Sequence, residues 1–222
     1  MKKFLFIILA ATAFSVKAQN SGSAAAMTVI TEESAVPEPL PIASLKAGDK
    51  APDFNLLNVD DKIISFESYP KAKGFIIVFT CNGCPYAKAY EQRIIQLNEK
   101  YAPMGFPVIA INPNDPEVSE GDSFKMMKEL AKTKKYTFPY LFDKGQKVTN
   151  IYGARATPHI FLVSKTANGN IIEYTGAIDN DTEDTNPTKV KYVENGITSL
   201  MNNQKPSVTM TKAIGCSVKR KA

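Results

Sequence analysis

The segment GFIIVFTCNGCP, residues 74–85, decides the fold expected for this chain. Its first half is an unbroken apolar run rich in β-branched and aromatic residues, which is typical of a strand buried on both faces of a sheet. Apolar residues at helical spacing follow the second cysteine and predict a helix to about residue 101: Ala87, Tyr90, Ile94, Leu97 and Tyr101. Cys81 and Cys84 are therefore predicted to lie at a strand-to-helix turn.

The elements around this segment alternate between strand and helix. Two short apolar segments, 54–57 and 63–66, are separated by turn residues and predict an N-terminal β-hairpin. Asn168-Gly169 favours a second antiparallel hairpin. The remaining predicted strands are 107–112, 140–142, 159–164 and 171–175, and the predicted helical segments are 123–134, 148–152 and 190–200. This order predicts an α/β domain with a mixed central sheet flanked by helices.

The N-terminal end has the pattern of an export signal. Two lysines precede the apolar run 4–14, and Val16-Lys17-Ala18 matches a small-x-small cleavage pattern. The run is well short of the roughly 20 residues that a membrane-spanning helix needs, and no cysteine lies close enough to residue 18 to carry a lipid anchor. We expect residues 1–18 to be a cleaved signal peptide and the mature protein to be periplasmic or secreted, without a stable membrane anchor.

Composition predicts the other boundaries. Residues 19–46 are rich in Ala, Ser, Thr, Glu and Pro and lack an apolar period, which is typical of a flexible linker. Residues 47–202 hold the predicted domain, and residues 203–222 form a C-terminal tail that we expect to be irregular. Cleavage would remove three of the 27 basic residues and leave 24 against 22 acidic ones, a balance that gives no indication of nucleic-acid binding.

Two cysteines separated by two residues suit thiol–disulfide exchange. The thiolate is the reactive form, and the unpaired N–H groups of a helix N-terminus lower the pKa of a nearby cysteine. We therefore expect Cys81 to be the nucleophile, with a lowered pKa, and Cys84 to be the resolving cysteine within disulfide reach. In such a cycle Cys81 forms a mixed disulfide with a partner and Cys84 displaces that partner. No bound organic cofactor is required.

Structural explanations of the same spacing are weaker. A zinc site needs four ligands, and the chain offers only Cys216 and His159 beyond the Cys81–Cys84 pair. A purely structural disulfide across one helical turn would close almost no loop and add little stability. We therefore predict no metal in the site and favour an exchange pair.

The order of an apolar strand, Cys-x-x-Cys-Pro, a helix and a later Thr-Pro before a strand resembles the thioredoxin superfamily over about residues 47–202. Further segments resemble its peroxiredoxin-like redoxin branch, the alkyl hydroperoxide reductase and thiol-specific antioxidant type. These are Ala51-Pro52-Asp53-Phe54, Cys84-Pro85-Tyr86, Ile111-Asn112-Pro113-Asn114-Asp115, Phe138-Pro139-Tyr140-Leu141 and Thr157-Pro158. The resemblance implies a thioredoxin-like fold with the redoxin insertion within 112–141.

The resemblance also implies a substrate-binding pair. Pro158 would be the cis-proline opposite the cysteines, and the backbone of Thr157 would hydrogen-bond an extended substrate segment beside Cys81, a form of strand addition. From the residues alone, Pro158 needs no such role, because proline is tolerated at the first residue of a strand.

The chain departs from peroxiredoxins proper, which carry Pro-x-x-x-Thr/Ser-x-x-Cys and an arginine across the pocket. Val78 stands three residues before Cys81, and Cys81 itself stands three before Cys84. Thr157-Pro158 occupies the region expected for the arginine. A thiol-dependent peroxidase therefore stays an alternative to the main hypothesis.

Two further residues are candidates for the site. Cys216, in the tail, is a candidate third redox thiol that could fold back to resolve Cys81 or Cys84, or else a free surface thiol. His159 follows Pro158 and is expected to be structural. With the two motif cysteines it would also supply the ligands of a copper-handling protein, a second alternative.

The main hypothesis is an exported thiol–disulfide oxidoreductase. Its partners would be protein or small-molecule thiols and disulfides, with neither nucleic acid nor a membrane anchor involved. The sequence leaves open the electron donor or acceptor and the direction of electron flow.

Overall fold

The apolar segment before Cys81 forms strand β3 (Gly74–Phe79), and all six of its residues are buried. In the computed structural model, which describes residues 43–221, β3 lies inside a seven-stranded sheet. It pairs in parallel with β4 (Val108–Asn112) and antiparallel with β7 (His159–Thr166). Because both neighbours are themselves buried over most of their length, the prediction of a strand covered on both faces is confirmed.

The other strands of the described residues are β1 (Leu56–Asn58), β2 (Ile63–Ile64), β5 (Tyr140–Phe142), β6 (Ala156–Thr157), β8 (Gly169–Gly176) and β9 (Cys216–Ser217). The sheet is mixed, in the order β2-β1-β5-β4-β3-β7-β8. Its β3, β4 and β5 strands are parallel, and the outer pairs β1/β2, β1/β5 and β7/β8 are antiparallel. Two short strands, β6 and β9, form a separate antiparallel pair.

Within residues 43–221, four α-helices accompany the sheet: α1 (Pro85–Tyr101), α2 (Phe124–Lys134), α3 (Lys147–Tyr152) and α4 (Tyr192–Met201). Alternate residues of β3 point to opposite faces, as strand geometry requires. Ile76 and Val78 join a core cluster with residues of α1, α2 and α4. Phe75, Ile77 and Phe79 join another cluster with residues of α3. Each face of the sheet therefore has its own apolar core.

These elements form the thioredoxin-like α/β fold that the sequence predicts, with the N-terminal hairpin (β1 and β2) and helix α2 inserted between β4 and β5. The predicted signal peptide 1–18 and nearly all of the predicted linker 19–46 lie outside the described residues. Within 43–221, no helix is long and apolar enough to cross a membrane.

The prediction of an irregular C-terminal tail is wrong in part. Residues 203–222 contain β9, and the tail also runs beside β8, where backbone hydrogen bonds of 3.0–3.1 Å join Thr175 to Thr209 and Thr211. Hydrogen bonds of the main chain hold these contacts, so they leave no periodic pattern of apolar side chains in the sequence.

Candidate functional site

Cys81 lies in the loop between the end of β3 and the start of α1. It is buried, with 7% of its surface exposed, and its Sγ lies 3.2 Å from the Oγ1 of Thr157. The Thr157–Pro158 peptide bond is cis, as the resemblance implied. The loop after β3 and the start of β7 therefore meet at Cys81, because β3 and β7 are direct neighbours in the sheet.

A disulfide joins Cys84 to Cys216, whose Cα atoms are 6.0 Å apart, and Cys81 keeps a free thiol. The structure thus holds a different bond from the predicted Cys81–Cys84 pair. The three residues nevertheless form one cluster, in which Cys216 packs against Cys81, Cys84 and Ala87. A free thiol in contact with a disulfide is the arrangement from which thiol–disulfide exchange proceeds.

The expected low pKa of Cys81 is wrong for this state. Burial raises the pKa of the thiol, a hydrogen bond with Thr157 lowers it, and the negative charge of Asp122 raises it again. Cys81 lies before the helix rather than in its first turn, because α1 begins only at Pro85, a residue with no N–H to offer. Desolvation therefore outweighs the helix terminus.

Asn82 anchors the loop between the cysteines. Its backbone N–H donates to the Asp122 carboxylate at 2.7 Å, and its side-chain amide donates to the Gly121 carbonyl at 2.8 Å. The Tyr140 hydroxyl donates to the Asn82 Oδ1 at 2.8 Å. These three hydrogen bonds all hold Asn82, so they restrict the conformation of the loop beside Cys81.

Asp122 is the centre of the polar network beneath this loop, and sequence reasoning missed it. The side chain is almost fully buried and also accepts hydrogen bonds from the side chains of Asn112, Asn114 and Ser119. It lies in a short 3-10 turn, Glu120–Asp122, far from the cysteine motif in sequence. The one available signal was Asn112-Pro113-Asn114, a polar segment that begins at the last residue of a buried strand.

The C-terminal segment 213–219 crosses the site. Its strand β9 pairs antiparallel with β6, the strand directly before Pro158, and Cys216 stands opposite Thr157. The Val218 N–H donates to the Arg155 carbonyl at 3.1 Å. Cys216 is therefore held at the site by strand pairing as well as by the disulfide, and does not lie on a mobile tail.

His159 does not face the cysteines. It is buried, its Nδ1 accepts from the Arg155 N–H at 3.4 Å, and its Nε2 lies 3.0 Å from the Thr175 Oγ1. Burial, together with the positive charge of Arg155, lowers the pKa of His159 to about 4. Across residues 43–221, no three His, Cys, Asp or Glu side chains converge in a way that could hold a metal ion. The three ligands that the copper alternative requires, Cys81, Cys84 and His159, are therefore not brought together in the structure.

The space beside Cys81 is small. A cavity lined by Cys81, Ala87, Phe138 and Tyr140, among others, has a volume of about 10 Å³. That volume is no more than about one water molecule needs. A client disulfide therefore cannot reach the Cys81 sulfur through this cavity in the state described.

The sequence has relatives among known proteins. Residues 47–174 match the AhpC/TSA family. A segment of 134 residues is 26% identical to the thiol-disulfide oxidoreductase ResA of Halalkalibacterium halodurans, covering 60% of this chain and 70% of that protein. ResA of Bacillus cereus is 27% identical over 132 residues, which is 58% of this chain and 69% of that protein.

Solved structures extend the likeness beyond the family segment. An uncharacterized conserved protein from Geobacillus kaustophilus is 31% identical, with a TM-score of 0.72, over 79% of this chain and 92% of that one. A hypothetical protein from Sinorhizobium meliloti 1021 is 24% identical, with a TM-score of 0.74, over 81% and 97%. The latter likeness concerns the fold alone.

Proposed function

Because this chain belongs to the AhpC/TSA family, we propose that it is a thiol–disulfide oxidoreductase with Cys81 as nucleophile and Cys84 as resolving cysteine. The observation that carries the proposal is the single cluster in which the Cys81 thiol lies against the Cys84–Cys216 disulfide beside cis-Pro158. The likeness to the ResA oxidoreductases supports it.

The cycle begins with all three cysteines reduced. The Cys81 thiolate attacks one sulfur of a client disulfide, the client S–S bond breaks, and a mixed disulfide forms while the second client sulfur leaves as a thiolate. The Cys84 thiolate then attacks the Cys81 Sγ and releases the client as a dithiol, leaving a Cys81–Cys84 bond. Two electrons have passed from the protein to the client.

We propose Cys216 as the third redox thiol, which acts next. Its thiolate attacks the Cys84 Sγ, the Cys81–Cys84 bond breaks, and Cys81 leaves as a thiolate that can take up a proton. The product is the Cys84–Cys216 disulfide present in the structure. An external dithiol must reduce this bond to complete the cycle. With a strongly oxidising partner, the same steps run in reverse and oxidise a client dithiol.

The substrates in this proposal are protein or small-molecule thiols and disulfides in the periplasm or outside the cell. Thr157 and Pro158 would bind the client next to Cys81. The leader pattern of residues 1–18 supports export.

The first test is to equilibrate residues 19–222 in glutathione buffers of defined potential, alkylate the free thiols, and map the bridged cysteines by mass spectrometry. Turnover of a disulfide-bonded protein such as insulin is measured alongside with a dithiol reductant. Cys81→Ser should abolish turnover, and Cys84→Ser should stop the cycle at a mixed disulfide that can be isolated. Full turnover by Cys81→Ser would refute the assignment of the nucleophile.

A thiol-dependent peroxidase is the second candidate. Two observations favour it: Cys81 keeps a free, buried thiol, and the sequence resembles proteins of the thiol-specific antioxidant type. In that reaction, the Cys84–Cys216 disulfide would first be reduced by the dithiol donor. The Cys81 thiolate would then attack the peroxide, break its O–O bond and become a sulfenic acid, while the other oxygen leaves as water or an alcohol. The Cys84 thiol would condense with this sulfenic acid to form a Cys81–Cys84 disulfide and a second molecule of water. Peroxide consumption with a dithiol donor distinguishes the candidates. Consumption much faster than with free cysteine would favour the peroxidase.

A further inference from the structure

The segment that crosses the site lies along the edge where an extended client would have to bind. Strand β6 is only Ala156 and Thr157, and β9 of the same chain already pairs with both of its residues. We propose that segment 213–219 is a redox-controlled latch: it occupies the client-binding edge beside Cys81 while the Cys84–Cys216 disulfide holds it, and reduction of that disulfide frees the edge for a polypeptide client. This inference rests on the proposed function.

The fit of the segment to the edge is close. A Cβ atom at Gly215 would lie 2.2 Å from the Thr157 carbonyl oxygen, which no side chain can tolerate without displacement of the backbone. The Thr157 hydroxyl also lies 3.5 Å from the Cys216 carbonyl oxygen. The glycine before Cys216 is therefore what allows the segment to approach β6.

The far end of the segment is anchored to the network beneath the cysteine loop. The Lys219 N–H donates to the Asn114 Oδ1 at 2.9 Å, and the Lys219 carbonyl accepts from the Asp115 N–H at 3.0 Å and the Gln146 side chain at 2.8 Å. Asn114 in turn donates to Asp122, which holds Asn82. The same polar network thus supports the reactive loop and the latch.

The closed latch also determines which sulfur an external reductant meets. Cys81 and Cys84 are 7% and 5% exposed, whereas Cys216 is only partly buried. A reductant thiolate would attack the Cys216 Sγ, and Cys84 would leave as a thiolate. The second thiol of the reductant would then displace Cys216 from the mixed disulfide. Once both thiols are free, the covalent link is lost, and non-covalent contacts such as the β6–β9 pairing and the buried Val218 side chain hold the segment on β6.

The latch also indicates the class of client. Suppose that a client polypeptide pairs with β6 in the same register as β9, with its reactive cysteine in the place of Cys216. The client residue before that cysteine then lies where Gly215 lies, against the Thr157 carbonyl. We therefore expect clients with an extended segment in which glycine immediately precedes the reactive cysteine.

The test measures how fast iodoacetamide alkylates Cys81 in the full-length mature protein. Mass spectrometry first verifies that the Cys84–Cys216 disulfide is intact. Gly215→Val should push the segment away from β6, although the disulfide still tethers it at Cys216. We expect alkylation to be faster by about tenfold or more, the factor corresponding to the loss of about one net hydrogen bond. Ser217→Val introduces the same side chain at an exposed position of β9. In this control variant, Cys81 should be alkylated at the wild-type rate. Equal rates for the wild type and Gly215→Val would overturn the latch.

A second measurement needs no substitution. Trypsin should cleave after Lys212 and Lys219 slowly in the oxidised wild type and at least several-fold faster after reduction, because an opened segment is a substrate for proteolysis. Identical cleavage in both redox states would overturn the latch. If the latch opens as described but insulin is not reduced, the proposed function fails on its own. If insulin is reduced while Cys81 reactivity and cleavage never change, only the latch fails.

Discussion

Two buried aspartates differ in what neutralises them. Asp179, just after β8, pairs with the buried guanidinium of Arg93 on α1 at 2.7 Å. Asp122, beneath the cysteine loop, accepts hydrogen bonds from a backbone N–H, two amides and a hydroxyl. The charge of Asp179 is compensated locally, whereas that of Asp122 acts on Cys81 and raises its pKa. One carboxylate fastens a helix to a loop, and the other influences the chemistry of the site.

The largest expected effect comes from breaking the ion pair. Asp179→Ala leaves the Arg93 charge buried without its partner, and Arg93 also stacks over Tyr90 and donates to the carbonyls of Asp181 and Thr182. We expect a loss of about 3–5 kcal/mol in the free energy of unfolding. Denaturant unfolding followed by circular dichroism measures it.

The control for this variant is Glu117→Ala, which removes an exposed ion pair with Lys221 and should change stability little. If Asp179→Ala unfolds at the same denaturant concentration as this control, Asp179 does not compensate the buried charge of Arg93. The pKa of Cys81 should not change in either variant.

His159, unlike the two aspartates, is a buried base, and it stays neutral in the folded protein near neutral pH. Its pKa is lowered to about 4 in the folded protein from an ordinary value of 6.5. Between these values the unfolded chain binds a proton that the folded chain does not, so stability falls as the pH decreases. The shift corresponds to a loss of about 3 kcal/mol between pH 6.5 and pH 4.

His159→Gln should remove this component of the pH dependence. Urea unfolding of both proteins from pH 7.5 down to pH 4 measures the difference, in which the titration of the carboxylates common to both cancels. A constant difference in stability between the wild type and the variant across this range would show that His159 does not titrate with a lowered pKa.

The fold was predictable where apolar residues recur at strand or helix spacing. Parts of the site lack such a pattern and could not be predicted. The run before Cys81 and the helical spacing after it determine β3 and α1 locally, so both were predicted from the sequence. The partner of Cys84 depends on closing a separation of 132 residues, which no local pattern encodes, so Cys216 could be named only as a candidate to resolve Cys81 or Cys84. Hydrogen bonds of the main chain hold much of the tail against its neighbours, and such bonds do not depend on side-chain identity. Gly215, before Cys216, was the residue that came nearest to indicating this close backbone contact.

Asp122 escaped prediction for a related reason. Its donors come from three separate parts of the chain: the loop after β3, the end of β4 with the residues that follow, and its own turn. A carboxylate satisfied in this way is recognisable only once the tertiary structure has brought the donors together. The expected low pKa of Cys81 failed on the same ground, because burial and Asp122 are both tertiary effects.

Asp122→Asn tests the influence of this charge on the thiol. Removing a negative charge close to Cys81 favours the thiolate, so the pKa of Cys81 should decrease. Because an amide NH₂ would then face groups that donate, we also expect a loss of about 1–3 kcal/mol in stability. The pH dependence of alkylation reports Cys81 alone while the Cys84–Cys216 disulfide is intact.

Glu120→Gln is the matched control, because it removes one negative charge from an exposed side chain of the same turn. Its alkylation profile should match that of the wild type. A profile for Asp122→Asn that does not move, or that moves to higher pH, would contradict an electrostatic role for Asp122.

The smallest expected effect separates positioning from charge. Tyr140→Phe deletes the hydroxyl that donates to Asn82 at 2.8 Å and accepts from Asn112 at 3.1 Å, and leaves the Asp122 carboxylate in place. We expect a loss of about 1–2 kcal/mol in stability from the two unpaired groups, with the pKa of Cys81 much closer to the wild-type value than in Asp122→Asn. Tyr86→Phe, at a position 40% exposed, is the control and should leave both quantities unchanged. If Tyr140→Phe lowers the pKa of Cys81 as far as Asp122→Asn does, the conformation of the loop, and not the charge beneath it, determines how readily Cys81 ionises.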